Sequence, residues 1–395
     1  MTVSESKLIK ISVLVMALFL FLPQTRHFFF AQGMRWAYLL LFSFALTYLA
    51  TPVARRLARL FGILDRPQGR KIHATSTPLF GGVAVYGAFA LVILFNFSFS
   101  YELKGVALGS TLIFLLGLID DIHPLPAKLK LLVQLVAVGI LIRYNVVLTF
   151  LPDGLLGLIG RWMMTALWVI GITNAMNFLD GMDGLATGLA AINGLFFTVV
   201  ALQTGQPFMM FLSVALLGSC LGFLPYNFRA RESASIFLGD AGSTFLGFSL
   251  ASIAVMGDWA QDRLVNIAIP VLILGVPIFD MTFTTIVRVV SGQVKSLNQW
   301  LSFTGRDHFH HRLVDIGLGS RISVLIIYLA AVCLGFSALV LKGSTGADAV
   351  LILLQAGIIF FLIGYFMIFV KKQYIKIGRE FEEVVQPNEP RPPAG

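Results

Sequence analysis

Long apolar runs separated by short polar stretches dominate the chain. A helix needs about 20 apolar residues to cross the hydrocarbon core of a bilayer, and twelve runs reach or approach that length. They occupy residues 8–22, 36–53, 79–99, 105–122, 128–145, 161–178, 184–203, 207–226, 240–258, 264–288, 321–341 and 346–370. The pattern predicts an all-α protein, a polytopic transmembrane helical bundle of 11 or 12 spans.

The two ends of the chain need separate interpretation. The first run is short and follows Lys7 and Lys10, which is also typical of a signal peptide. No small-residue cleavage site follows it, so we favour an uncleaved anchor. We expect a single integral membrane domain over residues 1–374 and a disordered tail over the charged, proline-rich residues 375–395.

Composition agrees with a membrane protein. Apolar residues make up 57% of the 395 residues and charged residues only 12%, about half of the roughly 25% usual in soluble domains. The two cysteines, Cys220 and Cys333, lie inside apolar runs, which argues against a disulfide framework or a cysteine metal site.

The net charge of +9 would suggest nucleic-acid binding in a soluble protein. With the N-terminus placed in the cytoplasm, 22 of the 29 Lys and Arg residues fall in cytoplasmic segments and seven in outer ones. Cytoplasmic loops of membrane proteins carry this excess, so the charge is explained by orientation and no nucleic-acid partner is expected.

Polar residues gather at span ends that this topology places on the cytoplasmic side. Four clusters share that side: Asp120 and Asp121; Asn174, Asn177, Asp180 and Asp183; Asp240; and Arg306, Asp307, His308, His310, His311 and Arg312. Because Lys and Arg alone set the topology, this convergence is an independent result. It predicts one cleft lined by residues that are distant in sequence.

Each cluster also has a structural explanation. Asp120 and Asp121 could mark a helix end, although the helix dipole disfavours anions at a carboxyl terminus. Asp240 would make a good N-cap. Lys128 and Lys130 could be interfacial anchors or could bind a phosphate.

The basic loops also allow more than one interpretation from the sequence. The three histidines suggest zinc or, with the arginines, recognition of an anion, but their spacing spreads them around a helix. Lys71 and His73 precede Gly81-Gly82 in a loop that positive-inside bias largely explains. Asp280 lies inside a predicted span and is a functional candidate without an assigned role.

Carboxylate and amide oxygens are ligands suited to Mg²⁺, and basic side chains hold phosphate oxygens. These groups at a membrane surface predict phosphoryl transfer between a soluble pyrophosphate compound and a lipid phosphate. Mn²⁺ is the alternative metal.

Four segments carry a family resemblance: GLIDD (117–121), NAMNFLDGMDGLA (174–186), FLGDAGS (237–243) and RDHFHHR (306–312). In this order they resemble the polyprenyl-phosphate N-acetylhexosamine-1-phosphate transferases, over residues 36–341 or so. The resemblance implies a ten-helix core with one extra helix at each end and an active site at the cytoplasmic face. It also implies transfer from a UDP-N-acetylhexosamine to undecaprenyl phosphate, in the bacterial inner membrane.

The resemblance also implies roles for individual residues. Asp120 and Asp121 match the catalytic pair, and Asp240 with Asn177 the Mg²⁺ ligands. The expected substrate-binding residues are Asp183, Asn174, Asp180, Lys130, Lys128, Arg306, His308, His310, His311, Arg312, Lys71 and His73.

The His-Phe-His-His-Arg sequence resembles the UDP-GlcNAc branch, which starts O-antigen, common antigen or teichoic acid glycans. The branch that uses UDP-MurNAc-pentapeptide carries three adjacent histidines and is the alternative donor class. A polyprenyl-lipid flippase and a lipid-diphosphate hydrolase are alternative activities. A homodimer is left open.

Overall fold

The computed structural model describes residues 3–65, 76–229, 231–296, 299, 303, 305 and 307–385. The side chains of residues 3–6 and 371–385 fall outside this description. Helices account for most of the described chain, as the apolar runs predict.

Fifteen α-helices and two short strands follow one another through the described residues. They are α1 Val3–Phe21, α2 Pro23–Ala31, α3 Arg35–Leu60, β1 Leu64–Asp65, β2 Thr77–Pro78, α4 Gly81–Asn96, α5 Tyr101–Ile122, α6 Ala127–Arg143, α7 Leu155–Phe178, α8 Leu185–Gln203, α9 Pro207–Asn227, α10 Gly239–Met256, α11 Arg263–Ile273, α12 Gly275–Val290, α13 Phe309–Asp315, α14 Ser320–Leu341 and α15 Gly346–Val385.

Every predicted apolar run is helical. Among the described residues seven helices are long and apolar enough to cross a membrane, and two bent pairs raise the number to nine. The other three predicted spans are the shorter helices α4, α6 and α10, of 16 to 18 residues. The chain is therefore a polytopic helical membrane protein.

The predicted straight span over residues 264–288 is wrong. Helices α11 and α12 meet at Leu274 and are bent by 79°. Pro277 explains the break, because its ring clashes with the carbonyl four residues earlier and it has no N–H to donate. That carbonyl belongs to Ile273, the last residue of α11.

Helix α10 lies at the centre of the bundle and packs against α4, α5 and α7. Nearly all of its residues are buried, as expected for a helix that is apolar all round. Outer helices instead expose large apolar side chains, among them Leu351, Phe361 and Phe366 of α15, which suits a lipid-facing surface.

The loop before α4 runs beside the segment that leads into α10. Phe237 donates its N–H to the Pro78 carbonyl, and Gly81 and Gly82 donate to the carbonyls of Phe237 and Leu238 at 2.9 and 2.8 Å. Two loops far apart in sequence thus fix the point at which α10 begins.

Helix α15 is 40 residues long and continues to Val385. Residues 375–385 of the predicted tail are therefore helical, and residues 386–395 lie outside the described chain. Lys, Arg and Glu, which favour helix, are frequent in this stretch.

We expect Gly82→Ala to lower the apparent melting temperature in detergent by a few degrees. A Cβ atom at Gly82 would overlap the backbone nitrogen of Gly242 in α10, and overpacking of this kind costs about 1–3 kcal/mol. Gly87→Ala on the same helix is the matched control, because no described atom lies within 4 Å of its added methyl group. Equal melting temperatures for the two variants would contradict the close approach of α4 and α10.

Candidate active site

Three helix ends bring a lysine between two carboxylates. Asp120 lies in the last turn of α5, Asp240 in the first turn of α10 and Lys130 in the first turn of α6. The Lys130 ammonium forms an ion pair with Asp120 and lies 3.3 Å from Asp240 Oδ2. Lys128, in contrast, is exposed, so only one of the two predicted lysines contacts these carboxylates.

Asp121 has a different environment from its neighbour Asp120. Its two carboxylate oxygens accept the backbone N–H groups of Asp240 at 2.7 Å and Ala241 at 3.0 Å. Asp121 therefore caps the amino terminus of α10 from another helix. The interpretation of Asp240 as an N-cap is wrong, because the N-cap position is Leu238 and Asp240 lies inside the helix.

Gly239 makes this cap geometrically feasible. Its φ is +75°, a left-handed conformation that glycine adopts without strain. A Cβ atom at this position would lie 2.6 Å from Asp121 Oδ2. Gly239 thus allows the left-handed turn and also leaves room for the Asp121 carboxylate to approach α10.

The end of α7 completes the acidic centre. Asn177 donates to Asp240 Oδ1 at 3.0 Å and to Ser243 Oγ at 2.9 Å. Asp180, in the short 3₁₀ turn that follows α7, accepts a hydrogen bond from the backbone of Gly239. We call Asp120, Asp121, Asp180, Asp240 and Lys130 the acidic centre.

Asn174 lies one turn away from this centre and pairs with a different residue. Its amide exchanges hydrogen bonds with Gln134 of α6, at 2.9 and 3.2 Å. Asn174 and Asn177, one helical turn apart on α7, therefore contact different partners: Asn174 pairs with Gln134, and Asn177 with Asp240 and Ser243. Gln134 was not identified from the sequence, although it follows Lys130 by one helical turn.

The acidic centre fits a hard divalent cation. Asp120 and Asp240 contact one lysine, Asp121 and Asp180 bind the backbone beside them, and carboxylates gathered in this way need compensating positive charge. Asp240 supplies carboxylate oxygens, and Asn177, whose amide N–H contacts Asp240 here, carries an amide oxygen on the same side chain. Mg²⁺ typically binds through one or two carboxylates while keeping several waters. No group of three His, Cys, Asp or Glu residues in the described chain forms a ready-made metal cage.

The histidine loop reaches the acidic centre through Gly181. A Cβ atom at Gly181 would lie 2.7 Å from His310 Nε2 and 3.6 Å from His311 Nε2, so both rings lie against this glycine. The two ring centroids are 4.1 Å apart. Gly181 directly follows Asp180, which places the histidine pair beside the carboxylates.

His308 makes a different set of contacts from that pair, although its ring lies parallel to that of His310 with centroids 6.1 Å apart. It is 6% exposed, and its Nδ1 lies 2.7 Å from Asp280 Oδ2. Its ring also packs against Phe178 at the end of α7, with centroids 4.9 Å apart. The three predicted histidines therefore do not form a zinc site, and Asp280, which had no predicted role, contacts the loop.

Arg312 and Asp307 make contacts within the loop. Arg312 Nε donates to the Asp307 carbonyl at 2.6 Å, and its guanidinium lies over the Phe283 ring. Burial opposes ionisation of the Asp307 carboxyl, but the hydrogen bonds and charge of Arg288 outweigh it and hold the pKa of Asp307 below its usual range. Arg312 Nε is thus engaged by the loop itself, and the role of Arg312 at a substrate phosphate stays a prediction.

A cavity of about 460 Å³ opens on the other side of Gly181. Asp183, Phe228, Arg229 and Arg321 line it. Asp183 also accepts the backbone N–H of Ala234 at 2.7 Å, which fixes the loop after α9 at the rim. The turn from Asp180 to Asp183 therefore connects the acidic centre with this recess.

Three predicted residues, Lys71, His73 and Arg306, lie outside the described residues. Ser243 and Arg288 are contacts that the sequence analysis missed. Ser243 occurs in the FLGDAGS motif, one helical turn after Gly239, which is a signal that could have identified it.

Fold and site define a polytopic membrane protein whose acidic centre is built from the ends of its helices. Residues 103–258 match the sequence model described as glycosyl transferase family 4. A probable undecaprenyl-phosphate N-acetylglucosaminyl 1-phosphate transferase of Bacillus subtilis is 38% identical over 325 residues, 80% of this chain and 86% of the relative.

Two further relatives have names that describe the same kind of transferase. A decaprenyl-phosphate N-acetylglucosaminephosphotransferase of Mycolicibacterium smegmatis is 34% identical, over 74% of this chain and 79% of its own. An undecaprenyl-phosphate alpha-N-acetylglucosaminyl 1-phosphate transferase of Escherichia coli K12 is 27% identical, over 82% and 88%. The chain belongs to glycosyl transferase family 4, among the polyprenyl-phosphate N-acetylhexosamine-1-phosphate transferases.

We expect Asp121→Asn to lower both thermal stability and catalytic activity. An amide presents one acceptor oxygen in place of two, so one of the two N–H groups of α10 loses its partner, at a cost of about 1 kcal/mol or more. Melting in detergent and turnover are the measurements. Asp153→Asn, which removes an exposed ion pair with Arg161, should change neither. An Asp121→Asn variant as stable as wild type would refute the capping role.

Proposed function

We propose that the protein transfers N-acetylglucosamine 1-phosphate from UDP-N-acetylglucosamine to undecaprenyl phosphate and releases UMP. The names of the relatives from Bacillus, Mycolicibacterium and Escherichia support the transfer of this sugar phosphate to a polyprenyl phosphate. We place the protein in the bacterial cytoplasmic membrane, with its site on the cytoplasmic face and with Mg²⁺ as cofactor.

One arrangement carries the proposal. Asp180 belongs to the acidic centre with Asp120, Lys130 and Asp240, and Asp183, three residues later, lines the recess. The reaction requires such an arrangement, because the donor has a nucleoside that needs a pocket and a pyrophosphate that must meet the acceptor phosphate.

In this reaction an oxygen of the lipid phosphate attacks the phosphorus atom that carries the sugar. A new P–O bond forms, and the bond from that phosphorus to the bridging oxygen of the UDP group breaks. UMP leaves with the bridging oxygen. Catalysis of such a transfer is mainly positioning and stabilisation of negative charge, which charged side chains at fixed distances provide.

Different residues of the site contact different parts of the two substrates. Lys130 is placed to hold a phosphate oxygen, and Asp120 orients the Lys130 ammonium. His311, which is partly exposed and lies against Gly181, can donate to the pyrophosphate, and the fully buried His310 packs against its ring. Asp183 stands at the rim of the recess that we assign to the nucleoside.

Asp240 and Asn177 would hold the metal. Bound Mg²⁺ would neutralise charge on the pyrophosphate, which is the chemistry that such ions supply in phosphoryl transfer. Asp121 then acts at a distance, since it fixes the backbone of the residue that holds the ion.

The cytoplasmic placement is supported by charge. The helix ends that form the site belong to the side that has 22 of the 29 basic residues. UDP-sugars are soluble and cannot cross the bilayer, so the donor must reach the site from the aqueous face on which the site opens.

Alternative activities are less well supported. A flippase would bind its lipid near the bilayer midplane between repeats, whereas the acidic centre lies at helix ends. The relatives named above act with N-acetylglucosamine, which does not favour UDP-MurNAc-pentapeptide as donor.

We expect purified protein to release UMP from UDP-N-acetylglucosamine only when Mg²⁺ and undecaprenyl phosphate are both present. Chelation should stop the reaction and added Mg²⁺ should restore it. In sealed vesicles the donor should react only from the face that was cytoplasmic. Release of UMP without lipid phosphate would identify a hydrolase, and a lack of UMP from every UDP-N-acetylhexosamine would disprove the transferase.

We expect Asp240→Asn to abolish turnover, by about 10³-fold or more, because one metal-binding charge is lost. The melting temperature should stay near the wild-type value. Asp258→Asn, just beyond the opposite end of α10, is the matched control and should remain fully active. An active Asp240→Asn variant would refute the assignment of Asp240 to the metal.

A further inference from the structure

Helix α12 carries a buried polar face that the proposed chemistry does not use. Asp280, Thr284 and Arg288 follow one another at intervals of one helical turn, and their exposures are 0%, 1% and 4%. Ionisable residues inside membrane spans are costly and are usually retained for function. The face starts just after the 79° bend, where α12 turns towards the histidine loop.

Asp280 binds the histidine loop with both carboxylate oxygens. Oδ2 lies 2.7 Å from His308 Nδ1, and Oδ1 accepts the backbone N–H of Phe309 at 2.6 Å. Phe309 is the first residue of α13, so one buried carboxylate fixes both the His308 ring and the start of the helix that carries His310 and His311.

Arg288 fixes the same loop two turns later on α12. Its guanidinium donates to both carboxylate oxygens of Asp307, at 2.7 and 2.6 Å. It also lies 3.3 Å from His308 Nε2. Arginine has no acceptor atom, so His308 Nε2 accepts from Arg288 and Nδ1 carries the proton that is donated to Asp280.

Both ring nitrogens of His308 are therefore occupied by α12. Its ring also packs on Phe178, the neighbour of Asn177. His308 thus connects α12 to the end of α7, whereas His310 and His311 lie against Gly181 beside the acidic centre.

We propose that Asp280 is a positioning residue of the transferase site, which holds His308 and the start of α13 so that His311, packed against the buried His310, meets the pyrophosphate. His308 is then part of the support and does not contact substrate. This inference rests on the proposed function and assigns a role within it.

The Asp280→Asn variant tests the carboxylate with little change in size. An asparagine side chain presents one acceptor and one donor, whereas His308 Nδ1–H and the Phe309 N–H both need acceptors. One of the two contacts must therefore be lost. Misplacement of a positioning group by about 1 Å can cost a factor of about 100 in rate, so we expect kcat to fall by about that factor.

The experiment measures kcat and KM for UMP release by purified full-length variants in detergent. For Asp280→Asn we expect kcat to fall about 100-fold while KM for UDP-N-acetylglucosamine changes less than about threefold, the pattern of an interaction needed in the transition state. Thr284→Val, on the same buried face between Asp280 and Arg288, is the matched control and should keep wild-type kcat.

A pair of substitutions at His308 distinguishes support from substrate contact. Asparagine can place its amide N–H near the position of Nδ1–H and keep the bond to Asp280, whereas leucine cannot. We expect His308→Asn to retain kcat within about tenfold of wild type and His308→Leu to lose about 100-fold. If Asp280→Asn fails to fold, these two His308 variants still show whether His308 supports the loop or contacts substrate.

Two results would overturn the inference alone: an Asp280→Asn variant with wild-type kcat, or a folded His308→Asn variant as inactive as His308→Leu. The second result would make His308 a substrate contact. Wild-type protein without UMP release would instead refute the proposed function, and the inference with it.

Discussion

The contact of the Asp121 carboxylate with the amino terminus of α10 is the interaction on which the site depends. It joins the carboxyl end of α5 to the start of the most buried helix, at 2.7 and 3.0 Å. The Asp121 carboxyl oxygens satisfy N–H groups at the start of α10 that would otherwise lack partners. Asp240 and, next to it in the chain, Gly239 take their positions from this contact.

A second constraint of the same kind holds the histidine loop. Asp280 accepts the first N–H of α13, and Asp183 accepts the Ala234 N–H at the rim of the recess. Asp121, Asp183 and Asp280 therefore fix backbone segments. Asp120 accepts the Leu125 N–H at 2.6 Å and also, with Asp240, faces Lys130. Acidic residues that look alike in the sequence divide into those that hold the framework and those that face the reaction.

The sequence predicted the helices well because an apolar run of span length has few alternatives to helix in a bilayer. It did not predict the bend at Leu274, because hydropathy reports how apolar a segment is and not whether its helix is straight. Pro277 could have indicated the bend. From the sequence we also predict that the four polar clusters lie on the same side of the membrane. It could not distinguish Asp121 from Asp120, or Asn174 from Asn177, because the partners that separate them lie on other helices.

The cap between α5 and α10 has a consequence for the way the protein is made. Asp121 and Ala241 are separated by 120 residues, and the histidines that reach Gly181 come later still. No segment inserted early contains a working fragment of the centre. During synthesis these contacts can therefore all form only after the chain has been made beyond α12.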